Sequence, residues 1–100
     1  MDSRVRGLVL RLFVAGDSPD SAIAIANLKA LFGNRDSSEA RMEIIDVQRE
    51  PDRAARDGIV VTPTLLKLSP SPGCRILGNL KNRDALLHLL GIELPRPDPS

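Results

Sequence analysis

Val61-Thr62-Pro63-Thr64-Leu65 sets a proline at the mouth of an apolar, strand-forming run. Proline fixes φ and donates no backbone hydrogen bond, so it suits the entry to a strand and not the middle of a ladder. Thr64 to Ser69 then carries a strand signal, Pro70-Ser71-Pro72-Gly73 a turn, and Cys74 to Gly78 a second strand. Together these predict a short antiparallel hairpin. Upstream of the proline, Glu50-Pro51-Asp52 opens a short polar helix that ends near Gly58, and Ile59-Val60-Val61 leads back towards the sheet. On that helix Arg53 and Arg56 read as a solvated face.

The N-terminal half has the other period. Residues 6–15 form a strand in which Leu8, Leu10, Leu12 and Val14 share one face, and Val9, Phe13 and Ala15 share the other with Arg11. Both faces are largely apolar, which predicts a central strand. Gly16-Asp17 turns the chain, Ser18 is a candidate N-cap, Pro19 fits the first helical position and Asp20 complements the positive helix end. The helix is expected over 19–32, with Ala24, Ile25, Leu28, Leu31 and Phe32 as its core stripe and Gly33-Asn34 as its stop. Ile23 falls on the outer side. After a polar loop from Asn34 to Ala40, residues 41–47 predict a second strand parallel to the first, which completes a right-handed β-α-β unit. Asn82 and Asp84 begin a last helix with Leu86, Leu87 and Leu90 as its stripe and Gly91 at its end, and Pro95 to Ser100 is a disordered tail. The expected division is one domain over 1–92 and a proline-rich tail over 93–100.

Composition narrows the function. A chain of 100 residues with 42% hydrophobic and 27% charged residues is an ordinary single domain, yet aromatics are only 2%, so the core is aliphatic. With 14 basic and 13 acidic side chains the net charge is +1, and no global field favours nucleic acid or an anionic membrane. The sole cysteine, Cys74, has no thiol to pair with, and one histidine, His88, does not make a metal site with it. Arg4 and Arg6 before Leu8-Val9-Leu10 superficially mimic a secretory signal, but Arg11 interrupts the apolar run. No stretch approaches the ~18 consecutive apolar residues of a membrane span. A reduced, metal-free, cytoplasmic protein is expected.

The order β-α-β-α-β-β-α is the thioredoxin-like arrangement, an α/β fold in which Thr62-Pro63 would be the cis-proline loop, where an X-Pro bond makes cis geometry accessible. Thiol exchange requires a low-pKa cysteine at a helix N-terminus, and Ser18 and Ser21 hold that region instead. No phosphate-binding glycine run and no paired acidic cluster is present, so no catalytic, cofactor-binding or metal-binding residue is assigned. Nucleic-acid modules pair basic residues with stacking aromatics, and both phenylalanines, Phe13 and Phe32, lie on core stripes. The remaining candidates for a binding edge are Lys67, Arg75, Lys81 and Arg83.

Several residues in order, Leu10-Arg-Leu-Phe-Val-Ala-Gly16, Ser18-Pro19-Asp20-Ser21, Ile45-Asp46-Val47, Pro51, Thr62-Pro-Thr-Leu65 and Ile76-Leu-Gly78 followed by Arg83, resemble the KaiB family of circadian clock proteins over about residues 8–92. The pattern is also similar to the sensor domain of the clock-associated kinase SasA. The resemblance implies a non-enzymatic adaptor that binds the ring ATPase KaiC and modulates its phosphorylation or ATPase state in a clock-like or stress-response system. A SasA-like signalling module is the alternative, and redox activity is disfavoured. It further implies self-association as a dimer or tetramer, and an alternative fold of the half from about 51 to 92. By matching position, Lys67, Arg75 and Arg83 are the implied contacts with a KaiC-like partner, and Pro63 is the structural cis-proline. Departures are equally specific. Cys74 occupies a usually basic position, Ile23 and Ala26 replace basic residues on the first helix, and Glu43 replaces a lysine, which argues against contacts with KaiA. Leu89 stands where cyanobacterial members carry glycine, and leucine favours helix by roughly 0.8 kcal/mol. Together with Gly91 as a helix stop, this favours the thioredoxin-like form in the free protein.

Overall fold

The computed structural model describes residues 7–32, 40–81, 86 and 88. Within them run β1 (Leu8–Val14), α1 (Pro19–Phe32), β2 (Ala40–Asp46), α2 (Pro51–Arg56), β3 (Thr64–Ser69) and β4 (Cys74–Leu77). The sheet order is β2-β1-β3-β4, with β1 parallel to β2 and antiparallel to β3, and β4 antiparallel to β3. β1 is thus an interior strand, as its two apolar faces predict, and the arrangement is thioredoxin-like. Asn34 to Glu39, Asn82 to Ala85, and the tail lie outside the described residues, as do Gly33, Gly91 and most of the expected last helix. Leu86 and His88 have helical backbone.

Alternation along β1 builds two cores. Leu8, Leu10, Leu12 and Val14 join Ala24 and Leu28 of α1, Leu65 of β3, and Leu80 and Leu86. Phe13 joins Ile45 of β2, Ala54 of α2 and Leu66 of β3 on the opposite face. Period-two geometry sends neighbouring β1 residues to opposite sides, so one strand supplies both layers. Ile25 and Leu31 pack on the first core at partial burial, and Ile23 is 43% exposed.

Local chemistry sets the ends of the helices. The Ser21 amide donates to Ser18 Oγ at 3.4 Å, the geometry of an N-cap serving the third helical residue. Ser21 is fully buried and its Oγ accepts from the Ala15 amide at 3.0 Å, which ties the helix start to the end of β1. At the other end of α2, the Gly58 amide bonds the Ala55 carbonyl and the Ile59 amide bonds the Ala54 carbonyl. With Gly58 at φ +67, this is a Schellman termination, where glycine takes the left-handed position without a Cβ penalty. Leu80 also has positive φ, 62°, although it is buried at 6% exposure. Its side chain is committed to the first core, and Asn27 Nδ2 of α1 holds the preceding carbonyl, that of Asn79, at 3.0 Å.

Candidate functional site

Register places Glu43, Arg11, Leu66 and Arg75 in one row across β2, β1, β3 and β4. Direct partners in a ladder share a face, so this row lies on the Phe13 side, where α2 packs. Arg11, which breaks the apolar pattern of β1, is the centre of that surface. Its Nε donates to Glu43 Oε1 at 3.2 Å and its Nη1 to Asp57 Oδ2 at 2.8 Å. Arg53 of α2 reaches the same Glu43 with both guanidinium arms, at 2.5 and 2.7 Å, and lies 3.6 Å from Glu50. The reading of Arg53 as a solvated face is therefore corrected: its helix position turns it towards β2. Arg56 is exposed.

These bonds have an electrostatic consequence. Hydrogen bonding from Arg53 is the largest influence on Glu43 and, with the charges of Arg53 and Arg11, holds its carboxyl below the usual value of 4.5 against the opposing effect of partial burial. The same bond from Glu43 raises the pKa of Arg53. Glu43 thus has a structural role: it joins the edge strand β2 to α2.

Arg75 approaches α2 from the opposite edge. Its Nη1 donates to the Gly58 carbonyl at 2.9 Å and its Nη2 to the Asp57 carbonyl at 2.8 Å, so a cation lies just beyond the negative end of the helix. The residue is exposed, but its guanidinium is anchored. Lys67 differs from its expected placement. It pairs with Leu10 and Cys74, on the face opposite Arg75, and is 7% exposed because β3 is an interior strand beneath the first core. Lys67 and Arg75 consequently do not form one basic edge. Lys81 is exposed, and Arg83 lies outside the described residues.

The proline loop closes the far end of this surface. The Thr62-Pro63 bond is cis, Pro63 is buried, Thr64 Oγ1 donates to the Val61 carbonyl at 2.6 Å, and the Gly78 amide donates to the Pro63 carbonyl at 3.0 Å. These bonds set the loop beside the end of β4, where Leu77 is the partner of Thr64. Val60, Val61 and Leu77 are 91%, 48% and 60% exposed, and Leu77 shares a face of β4 with the anchored Arg75 two residues before it. Sequence reading placed Val60 and Val61 on the way into the sheet; the available signal was Pro63, two residues after Val61, which delays strand pairing until Thr64. Among the described residues no cluster of acidic, histidine or cysteine side chains could hold a metal ion, and no helix is long and apolar enough to cross a membrane.

Comparison with known proteins agrees with this geometry. The KaiB domain matches residues 11–92. A circadian clock oscillator protein KaiB from Prochlorococcus marinus subsp. pastoris is 38% identical over 86 residues, covering 86% of this chain and 78% of the relative. Among solved structures, the N-terminal domain of Synechococcus elongatus SasA superposes with a TM-score of 0.64 at 25% identity, covering 85% of this chain and 84% of that domain. A thioredoxin variant from Halobacterium salinarum reaches a TM-score of 0.69 at 24% identity, covering 91% and 80% of the two chains, a likeness of fold alone.

Proposed function

The chain belongs to the KaiB family, and on that premise we propose that it is a non-enzymatic adaptor that docks on a KaiC-like ring ATPase and shifts its phosphorylation or ATPase state. The observation that carries this reading is the extent of the family match, which runs from β1 through β4 and beyond. The proposed contact surface is the β4 side of the sheet: Arg75, the adjoining Leu77, and Val60-Val61 before the proline. An apolar centre beside an arginine is the composition that protein interfaces favour. Arg83 belongs to the proposed contacts through its family position. Lys67, being buried, supports the hairpin that presents Arg75. The proposal places the protein in the cytoplasm, with self-association as a dimer or tetramer, and with neither nucleic acid nor membrane as a partner.

Size-exclusion chromatography of the protein with its cognate ring ATPase and ATP tests the adaptor role. Co-elution is expected, and its absence under ATP overturns the reading. Leu77→Asp should abolish the complex while far-UV circular dichroism is unchanged; full binding by that variant removes the surface assignment. The likeness to the SasA domain supports a second reading, a sensor module acting on a histidine kinase. That reading requires co-elution with a kinase core in the same experiment.

A further inference from the structure

β4 closes one side of the sheet, and its register with β3 fixes which of its backbone groups turn outward. Facing residues of an antiparallel pair alternate between bonded pairs, which exchange N–H···O=C bonds, and unbonded pairs, whose N–H and C=O point away from each other. The Gly78 amide donates to the Pro63 carbonyl at 3.0 Å, so that position is a bonded one. Alternation along the register then makes Leu65/Ile76 and Lys67/Cys74 bonded, and Thr64/Leu77 and Leu66/Arg75 unbonded. Arg75 and Leu77 therefore direct their N–H and C=O groups out of the sheet, on the side where none of the described strands lies. Both residues are exposed, and their side chains share one face.

An open ladder edge invites another strand, and natural proteins guard such edges with charge, proline or a bulge. On β4 the charge that could stand guard is drawn inwards, since both Nη atoms of Arg75 donate to the carbonyls of Asp57 and Gly58 at the end of α2. Those acceptors are neutral, and none of the described ion pairs includes Arg75. Its positive charge is thus held on the Phe13 face with no described carboxylate against it. The opposite edge differs, because Glu43 of β2 is already bonded to Arg11 and Arg53.

We propose that the partner docks by strand addition to β4: an extended segment places a carboxylate opposite Arg75 and an apolar side chain two positions away, opposite Leu77. This rests on the adaptor reading, so the segment belongs to the ring ATPase, and it adds how that ATPase is held. The outward backbone groups of Arg75 and Leu77 supply the hydrogen bonds, and side chains on alternate positions supply selectivity, as in other strand-addition complexes. The carboxylate compensates the arginine, and the exposed Leu77 is covered. A second copy of β4 does not meet this requirement, because Cys74-Arg75-Ile76-Leu77 has no acidic residue to set opposite Arg75.

Amide hydrogen exchange of the intact protein, alone and in complex with its cognate ring ATPase and ATP, tests this. In the free protein the Arg75 and Leu77 amides should exchange fast and the Ile76 amide slowly, and the complex should slow the first two by at least about tenfold. Co-elution with unchanged exchange at those two amides overturns strand addition and leaves the adaptor reading standing. Absence of any complex overturns both. Protection of the two amides in the protein alone, rising with its concentration, assigns the edge to a second copy and overturns the proposal. Two variants separate backbone from side chain. Proline is accepted on an edge strand where the amide faces solvent, so Leu77→Pro should keep slow exchange at Ile76 yet weaken the complex by about tenfold. Leu77→Val, which keeps the amide, should bind within about threefold of the wild type. Equal affinity of the two variants overturns the proposal, and the wild-type exchange decides alone if Leu77→Pro does not fold. Salt should weaken the wild-type complex more than that of Arg75→Gln, and an equal salt dependence overturns the carboxylate opposite Arg75.

Discussion

Arg11 Nη1 lies 2.8 Å from Asp57 Oδ2, joining the centre of the sheet to the end of α2 across 46 residues of chain. Both side chains are mostly shielded, at 26% and 21% exposure, so the contact is screened less than a surface pair. Arg11→Leu, which also frees Glu43 of one partner, should lower unfolding stability by about 1.5–3 kcal/mol, the range for hydrogen bonds to charged groups. Urea denaturation should show a lower midpoint at an unchanged slope. A double-mutant cycle with Asp57→Asn isolates the pair, and additive losses would mean that the two residues do not interact.

Acid should loosen the link between β2 and α2. The folded-state pKa of Glu43 is below its ordinary value of 4.5, so its contribution is fully present above that value and is lost as pH falls through the lower folded pKa. Melting temperature should therefore decline below about pH 4.5 more steeply in the wild type than in Glu43→Gln. Parallel curves for the two proteins would show that Glu43 is not a source of the acid sensitivity. High salt should narrow the difference between them, because Glu43 is partly exposed.

Gly16 bears two constraints that a pair of variants can separate. Its φ is +31, and a Cβ there would lie 2.6 Å from Gln48 Oε1. Gly16→Ala should cost roughly 1–2 kcal/mol from the left-handed backbone, with the clash added if the glutamine does not move. Gln48→Ala in the same chain should recover the steric part and leave the backbone part. Thermal denaturation of the two variants measures the division.

Phe13 is wholly buried in the smaller core with Ile45, Ala54 and Leu66. Phe13→Ala should destabilise by about 3–5 kcal/mol, since both transfer energy and a residual cavity are involved. Native-state hydrogen exchange should show the loss in β1 and β3. A change under 1 kcal/mol, well below the ordinary range, would indicate that α2 collapses into the space.

Elements with strong local signals were the most legible. Pro19–Phe32 and Thr64–Ser69 coincide with the helix and strand expected from capping, periodicity and turn residues. The parallel pairing of β1 with β2 followed from the helical crossover between them. Strand ends shifted, β1 to Leu8–Val14 and β4 to Cys74–Leu77, because pairing partners and not propensity end a ladder. The binding edge was read less well. Lys67 and Arg75 are both basic residues of one hairpin, but register sends them to opposite faces, and the interior position of β3 buries Lys67.

The sequence by itself determined the order of elements, the two apolar faces of β1, the proline entry to β3 and the family to which the chain belongs. Those features are written in spacing of two, spacing of 3.6 and turn chemistry, all of which act between near neighbours in the chain. Only the tertiary structure decided what the charges do: that Arg11 reaches Asp57, that Arg53 grips Glu43, and that Arg75 closes the end of α2. The physical reason is distance along the chain. A charge finds its partner only after strand register and helix docking have fixed which side chains face one another, and composition carries no record of either.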